Sequence, residues 1–165
     1  MKGDPDIGRI AFQRLAEKPG RCDTDYGQRM ALGDENGSGT VNVVPNLTEM
    51  SSLLSPKGDW DVEPEEIEIR RLDEVLGETV EGARAFLKMD TQGYDLRVFE
   101  GAAGCLDSIQ GLESELSVKP LYDGMPTYVE ALSTYEKSGF DLSHVSVVSR
   151  GADGDLLELN CFMRR

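Results

Sequence analysis

The second half of the chain alternates apolar runs with helical stripes. RAFLKM at 84–89 is a short apolar run of strand length. Beyond it Leu96, Phe99, Ala103 and Leu106 recur at helical spacing and predict a helix. GLESELSV (111–118) reads as a second strand, and residues 128–138 as a second helix ended by Gly139. Two further strands, near 140–149 and 155–163, flank the turn Gly151-Ala152-Asp153-Gly154 and predict a hairpin. Strands alternating with helices argue for an α/β fold with a mostly parallel sheet. The closing hairpin makes one edge strand antiparallel.

The first half is patterned differently. Residues 6–18 carry Ile7, Ile10, Ala11 and Leu15 at helical spacing, with Pro19-Gly20 as a stop. Residues 26–32 predict a strand closed by Gly33-Asp34, and DENGSGT (34–40) is turn chemistry leading into the strand TVNVV (40–44). EEIEIRRL (65–72) alternates Ile67 and Ile69 with polar neighbours, as a half-exposed strand does, and is expected to pair antiparallel with 40–44. A short helix, 72–78, follows. The stretch 45–64 is loop-rich, with Pro45, Pro56, Gly58 and Pro64 and the sole tryptophan, Trp60. There is no internal repeat and no low-complexity tract.

Composition narrows the class. A chain of 165 residues is most simply one domain, and 39% hydrophobic content argues for a folded globule. The 17 Lys and Arg against 31 Asp and Glu leave a formal charge of −14, which disfavours nucleic acid and an anionic membrane as partners. Cys22, Cys105 and Cys161 are far apart and odd in number, so neither a disulfide framework nor a zinc site is expected, and a reducing cytoplasm is the default. No apolar stretch approaches the roughly 20 residues of a membrane span.

Candidate chemistry gathers where strands end, since parallel α/β sheets hold ligands outside the carboxyl ends of their strands. Asp90 stands at the end of RAFLKM, before Thr91, Gln92 and Gly93. It either caps the following helix or serves a site, and spacing alone leaves both open. Asp95 suits the first turn of that helix through the dipole, and Gly93 allows a tight turn or close approach to a ligand. Glu115 lies on the neighbouring strand, so both acids are expected near one rim, able to bind a hydroxyl, a cationic group or a metal, or to face solvent independently. Asp34 is either turn chemistry or a carboxylate for a ligand amino group. Lys88, alone in its apolar run, pairs with an acid or lies along a solvated edge. His144 is the only histidine and reads as structural. With no phosphate loop and no His/Cys ligand spacing, NTPase and metal-hydrolase readings are weak, and no metal is expected.

The segments RMALGDENGSGTVNV, MSSLLS, IRRLDEVL, FLKMDTQGYDLRVFEGA and ESELSVKPLYDGMPTYVEALSTYEKSGFDL stand in continuous order over about 29 to 142. In that order they resemble the C-terminal two-thirds of an FkbM-type methyltransferase, FLKMDTQGYDLRVFEGA most specifically. The resemblance implies a Rossmann-like methyltransferase sheet, mostly parallel with an antiparallel C-terminal hairpin, in one domain over 1–165 with a β-ribbon insertion at about 40–72. It implies methyl transfer from S-adenosylmethionine to an oxygen of a sugar or other small molecule. Asp90, Gln92 and Gly93 fall on the family's Asp-x-x-Gly, and Glu115 on the glutamate before Pro-Leu-Tyr. Asp90 and Glu115 are thereby the implied catalytic acids, with Gln92 and Gly93 on the cofactor side. Asp34 falls on an acid that such folds bring to the adenine. Ser51 and Ser52 fall on a serine turn.

The family pattern opens with a strand, a glycine-rich turn and a second strand ending in the ribose acid. None of these is found here, so an N-terminally truncated sheet is expected. The gap between the strand at 26–32 and that at 86–89 would then close up, stay exposed, or be filled by a second chain, which makes a homo-oligomer one of the expected partners. The other expected partner is a small-molecule or saccharide acceptor. A non-catalytic remnant of the fold, serving as a binding or oligomerisation module, is the competing expectation.

Overall fold

The computed structural model describes residues 12–14, 30–80 and 82–165. Their strands form two sheets. The larger has β1 (Phe12–Arg14), β5 (Ala85–Met89), β6 (Ile109–Ser117), β8 (Leu156–Arg164) and β7 (Asp141–Arg150) in the order β1-β5-β6-β8-β7. The smaller sets β4 (Glu63–Arg71) between β2 (Ala31–Gly33) and β3 (Gly37–Val43).

The sheets are mixed, which corrects the expectation of a mostly parallel one. In the larger sheet only β5 and β6 run parallel; β1 on β5, β8 on β6 and β7 on β8 are antiparallel. The helical stripe between 84–89 and 111–118 does build a parallel crossover. The chain then leaves room for β8 to enter between β6 and β7, so the closing hairpin contributes two antiparallel pairings. The segment 6–18 is also corrected in part. Residues 12–14 are a strand registered Phe12↔Leu87 to Arg14↔Ala85, and the rest of that segment lies outside the described residues. An unpaired edge of β5 offers backbone partners that outweigh a weak helical periodicity. The remainder of the 26–32 strand before Met30 also lies outside them.

Alternation decides which face of the larger sheet is buried. Ala85, Leu87 and Met89 on β5, Leu112 and Leu116 on β6, and Leu159, Cys161 and Met163 on β8 all enter one core. Three helices cover it: α1 (Leu72–Leu76) through Leu72, α2 (Asp95–Glu100) through Val98 and Phe99, and α3 (Tyr128–Lys137) through Ala131 and Tyr135. The Phe99 ring meets Tyr135 and Phe140 edge-on at 4.9 and 6.0 Å, a favoured aromatic geometry. A capping box starts α3: Thr127 Oγ1 accepts from the Glu130 N–H at 3.2 Å, and Glu130 Oε2 accepts from the Thr127 N–H at 2.8 Å. The smaller sheet keeps its own core of Ala31, Val41, Val43 and Ile67. Its β3–β4 ribbon is antiparallel from Gly37↔Ile69 to Val43↔Glu63, the pairing read from the alternation.

The sheets join behind the carboxyl end of β2. A Cβ built on Gly101 would lie 1.9 Å from the Gly33 carbonyl oxygen and 3.4 Å from the Leu72 nitrogen. Gly101 has helical φ (−67°), so glycine is required there for space and not for dihedral freedom. The Asp73 N–H donates to the Gly101 carbonyl at 2.9 Å, and the Asp73 carboxylate accepts from the Gly104 N–H at 2.9 Å and from the Arg71 guanidinium. Arg71 also donates to the Asp34 carbonyl at 2.7 Å. Burial opposes the Asp73 charge, yet the Arg71 and Gly104 donors hold its pKa below the usual carboxylate value.

Gly101→Ala should therefore cost about 3 kcal/mol or more, because backbone must move to admit the methyl group. Gly37, whose Cβ would meet nothing within 4 Å, is the control, and Gly37→Ala should stay within about 0.5 kcal/mol. Urea denaturation of both variants measures the contrast, and equal costs would refute the close-approach argument.

Candidate functional site

The β5 strand ends at Met89, and the chain turns sharply through Asp90, Thr91, Gln92 and Gly93 before α2 begins at Asp95. Gln92 has φ +49° and Gly93 φ +91°. The left-handed region is routine for glycine but costs a side-chain-bearing residue roughly 1 kcal/mol. Three contacts hold Gln92 there. Ser52 Oγ donates to its carbonyl at 2.8 Å, its Nε2 donates to Asp90 Oδ1 at 3.2 Å, and the Tyr122 hydroxyl reaches its Oε1 at 3.4 Å while donating to the Met50 carbonyl at 2.7 Å. A Cβ on Gly93 would come within 2.9 Å of Met125, so that space is filled from the loop after β6.

The serine turn thus has a structural role. Ser51 Oγ accepts from the Val44 N–H at 3.1 Å, and Ser52 exchanges backbone bonds with Asn42 at 2.8 and 3.3 Å. The loop after β3 also bonds to the loop after β6, from the Lys57 N–H to the Leu121 carbonyl and from the Asp123 N–H to the Ser55 carbonyl, both 2.8 Å, with Trp60 edge-on to Tyr122 at 5.7 Å. Three segments distant in sequence meet at one rim.

Asp90 does not cap α2: the N-cap position is Tyr94, and no side chain bonds there. Parallel pairing sets Met89 beside Ser114, so Asp90 and Glu115 follow at the same carboxyl end. On the other side of β6, Glu115 pairs with Asn160 of β8. Glu115 is half-buried, and burial pushes its pKa up to about 7; the charges of Asp90, Glu158 and Asp95 push the same way, while Lys88 opposes. Asp95 is buried at the start of α2, and burial again raises it to about 7, with Asp90 adding. The Thr91 and Ser114 hydroxyls pull it down without closing a well-formed bond: both Asp95 oxygens, Thr91 Oγ1 and Asn160 Oδ1 are buried and unpartnered among the described residues. Beside them the Tyr135 hydroxyl donates to Ser114 Oγ at 3.0 Å. Two acids that hold protons near neutrality therefore flank Asp90.

The other candidates fall elsewhere. Asp34 follows β2, and its Oδ2 accepts from Arg97 Nη1 at 2.8 Å. Arg97 also lies over the Tyr94 ring at 5.9 Å. Lys88 pairs across strands with Glu113 at 2.8 Å, a bond that raises its pKa, so it does not lie free along a solvated edge. His144 is exposed on β7 against Phe162, ring centres 5.5 Å apart. Cys105 and Cys161 are buried free thiols, and Cys22 lies outside the described residues. No group of three His, Cys, Asp or Glu that could hold a metal occurs among the described residues. Nor, among these, is any helix long and apolar enough to cross a membrane. Sequence reasoning missed Tyr122, Arg97 and the burial of Asp95; only the Pro-Leu-Tyr segment hinted at the first.

A mixed α/β fold with paired carboxylates at the carboxyl rim of a parallel strand pair is consistent with a methyltransferase-like protein. The family model of the methyltransferase FkbM domain matches residues 4–142. The chain belongs to that family. No curated protein and no solved structure matches it significantly.

The raised acids set the sign of a stability effect. A carboxyl raised from 3.8 to about 7 binds its proton more tightly folded than unfolded, so stability falls as pH climbs through that window. Asp73, lowered, acts oppositely and loses its contribution on acidification below the usual carboxylate range. Asp95→Asn should flatten the loss between pH 5 and pH 8 by at most about 3 kcal/mol, since roughly two units of the shift fall in that window. Urea titrations at the two pH values test it, and an unchanged slope would mean that Asp95 stays ionised in the fold.

Proposed function

We propose that the chain is an S-adenosylmethionine-dependent O-methyltransferase acting on a small-molecule or sugar hydroxyl. The observation that carries this reading is the rim where Asp90, Gln92, Gly93 and Glu115 meet the serine turn and Tyr122, all inside the span matched by the family model.

Asp90 is held on one oxygen by Gln92, which leaves its second oxygen to accept an acceptor O–H and draw off the proton as the oxygen is alkylated. Positioning does most of the work in such a displacement, and proton removal contributes typically 100-fold to 10,000-fold. Glu115, protonated near neutrality, can donate to a neighbouring acceptor oxygen and orient it. For the donor half, support comes from Asp34: Oδ2 takes Arg97, while Oδ1 makes no hydrogen bond among the described residues, close to the Tyr94 ring. That set suits an adenine amino group. When bound, the cofactor supplies an electrophilic methyl group. The described residues show no glycine-rich turn for its carboxylate tail.

Two observations favour the competing reading of a non-catalytic remnant. Asp34 is already paired with Arg97, and the space over Gly93 is taken by Met125. Titration calorimetry with S-adenosylmethionine separates the two. Saturable binding, and transfer of labelled methyl to a panel of hydroxylated acceptors, is the expected result; absence of binding by the folded chain would reverse it. Asp90→Asn should lower transfer at least 100-fold with its melting temperature and cofactor affinity kept, and full turnover would remove Asp90 from the reaction.

A further inference from the structure

We propose that Ser52 is a positioning residue that aims the Asp90 carboxylate, acting through Gln92. The inference rests on the reading of Asp90 given above but concerns groups that reading does not use. Ser52 touches no acceptor-facing atom. It is buried, 3% exposed, and its hydroxyl accepts from the Leu54 N–H at 3.1 Å while donating to the Gln92 carbonyl at 2.8 Å. One hydroxyl thus fixes its own loop and the peptide between Gln92 and Gly93.

The need for such a tether is conformational. Gln92 sits at φ +49°, a basin that an unrestrained glutamine rarely occupies. Released, its backbone would relax to negative φ, and the side chain would swing away from Asp90 Oδ1. Asp90 would then lose its one hydrogen bond among the described residues and with it a defined rotamer. Because Gly93 follows at φ +91°, the strain falls on the residue whose carbonyl Ser52 grips. The Tyr122 hydroxyl, whose proton goes to the Met50 carbonyl, lies 3.4 Å from Oε1 of the same side chain. Ser52 is itself set by its backbone bonds to Asn42, so the ribbon of the smaller sheet reaches a carboxylate of the larger one through a single buried side chain.

Ser51 supplies the control. It belongs to the same turn and is equally buried, but its hydroxyl accepts from the Val44 N–H and does not reach Gln92. A serine turn that merely stabilised the loop would respond alike to loss of either hydroxyl.

The test reads the Asp90 side-chain carboxyl carbon by NMR in the full chain, at fixed pH, without cofactor or acceptor. Ser52→Ala should shift that resonance, and Ser51→Ala should leave it in place. Gln92→Gly, which tolerates the same φ, should shift it as well. In the Gln92→Gly background Ser52→Ala should add nothing, because the two act in series. Additive shifts, equal responses from the two serines, or an unmoved Asp90 signal in Ser52→Ala would each overturn the proposal. Should Ser52→Ala fail to fold, Ser52→Cys, of similar size but a much weaker donor, makes the same comparison. Since nothing is bound in the experiment, its outcome is independent of whether the chain takes S-adenosylmethionine.

Discussion

The end of β2 in the smaller sheet and the end of α2, which packs on the larger sheet, touch backbone to backbone at Gly33 and Gly101, and that approach governs what the rest of the molecule can do. No side chain fits between the Gly33 carbonyl and the Gly101 Cα. The end of β2 is thereby locked to the end of α2, and every loop at the rim inherits the spacing. Asp73 and Arg71 secure the contact with polar bonds. Asp73 takes donors from Arg71 and Gly104, and Arg71 reaches back to the Asp34 carbonyl. A partly buried carboxylate bonded on several sides is costly to half-dismantle, so the corner behaves as one unit.

That fixed distance is what lets loops of different sheets share hydrogen bonds. The bond from Ser52 to Gln92 spans 40 residues of sequence, and that from Tyr122 to Met50 spans 72. Neither would survive a slide of one sheet along the other by even an ångström or two, because hydrogen bonds weaken steeply off their optimum. The strained Gln92 is in turn maintained by those bonds. A short steric contact at one end of α2 thus underlies the shape of the turn at its other end.

Local patterning made much of the frame legible. Ile67 and Ile69 alternating along 65–72 announced β4 and its antiparallel partner, and the acid closing RAFLKM marked the rim, because both signals lie within a few residues. Pairing order was not legible. Nothing in residues 155–163 says that they insert between β6 and β7, and the helical spacing of Ile7, Ile10 and Leu15 gives no hint that Phe12–Arg14 lies against β5. Those outcomes are decided by which strand edges are left open once the sheet assembles. Asp90 and Glu115 could be found as candidates because each stands where a strand ends. Ser52, Tyr122 and Asp73 could not be assigned roles, since the partners that define those roles lie 30 or more residues away. The dipole argument placed Asp95 in the first turn of α2 but said nothing of its burial; that α2 turns it inward depends on the packing of Val98 and Phe99 against the sheet.

The rim is unequal in how firmly its parts are held, and this bears on which half of a reaction it can adapt to. Arg97 and Asp34 are 55% and 27% exposed, and such a pair contributes typically 0–1 kcal/mol, so a ligand amine or hydroxyl could displace it at little cost. Met125 over Gly93 is an unbranched side chain that can swing aside with small loss. Gln92, Ser52 and Tyr122 are different: their bonds are buried, and breaking one strands a desolvated polar group at about 1–3 kcal/mol. The side facing Asp34 is therefore yielding, and the side carrying Asp90 is rigid. A firmly held carboxylate beside a yielding pocket is what the proposed displacement would need, since a proton acceptor must already be aimed while the larger partner settles around it. The internal contacts at Asp34 and Gly93 consequently weigh little against ligand binding, whereas the buried bonds around Gln92 both tie the loops of the two sheets together and hold a strained backbone at the rim.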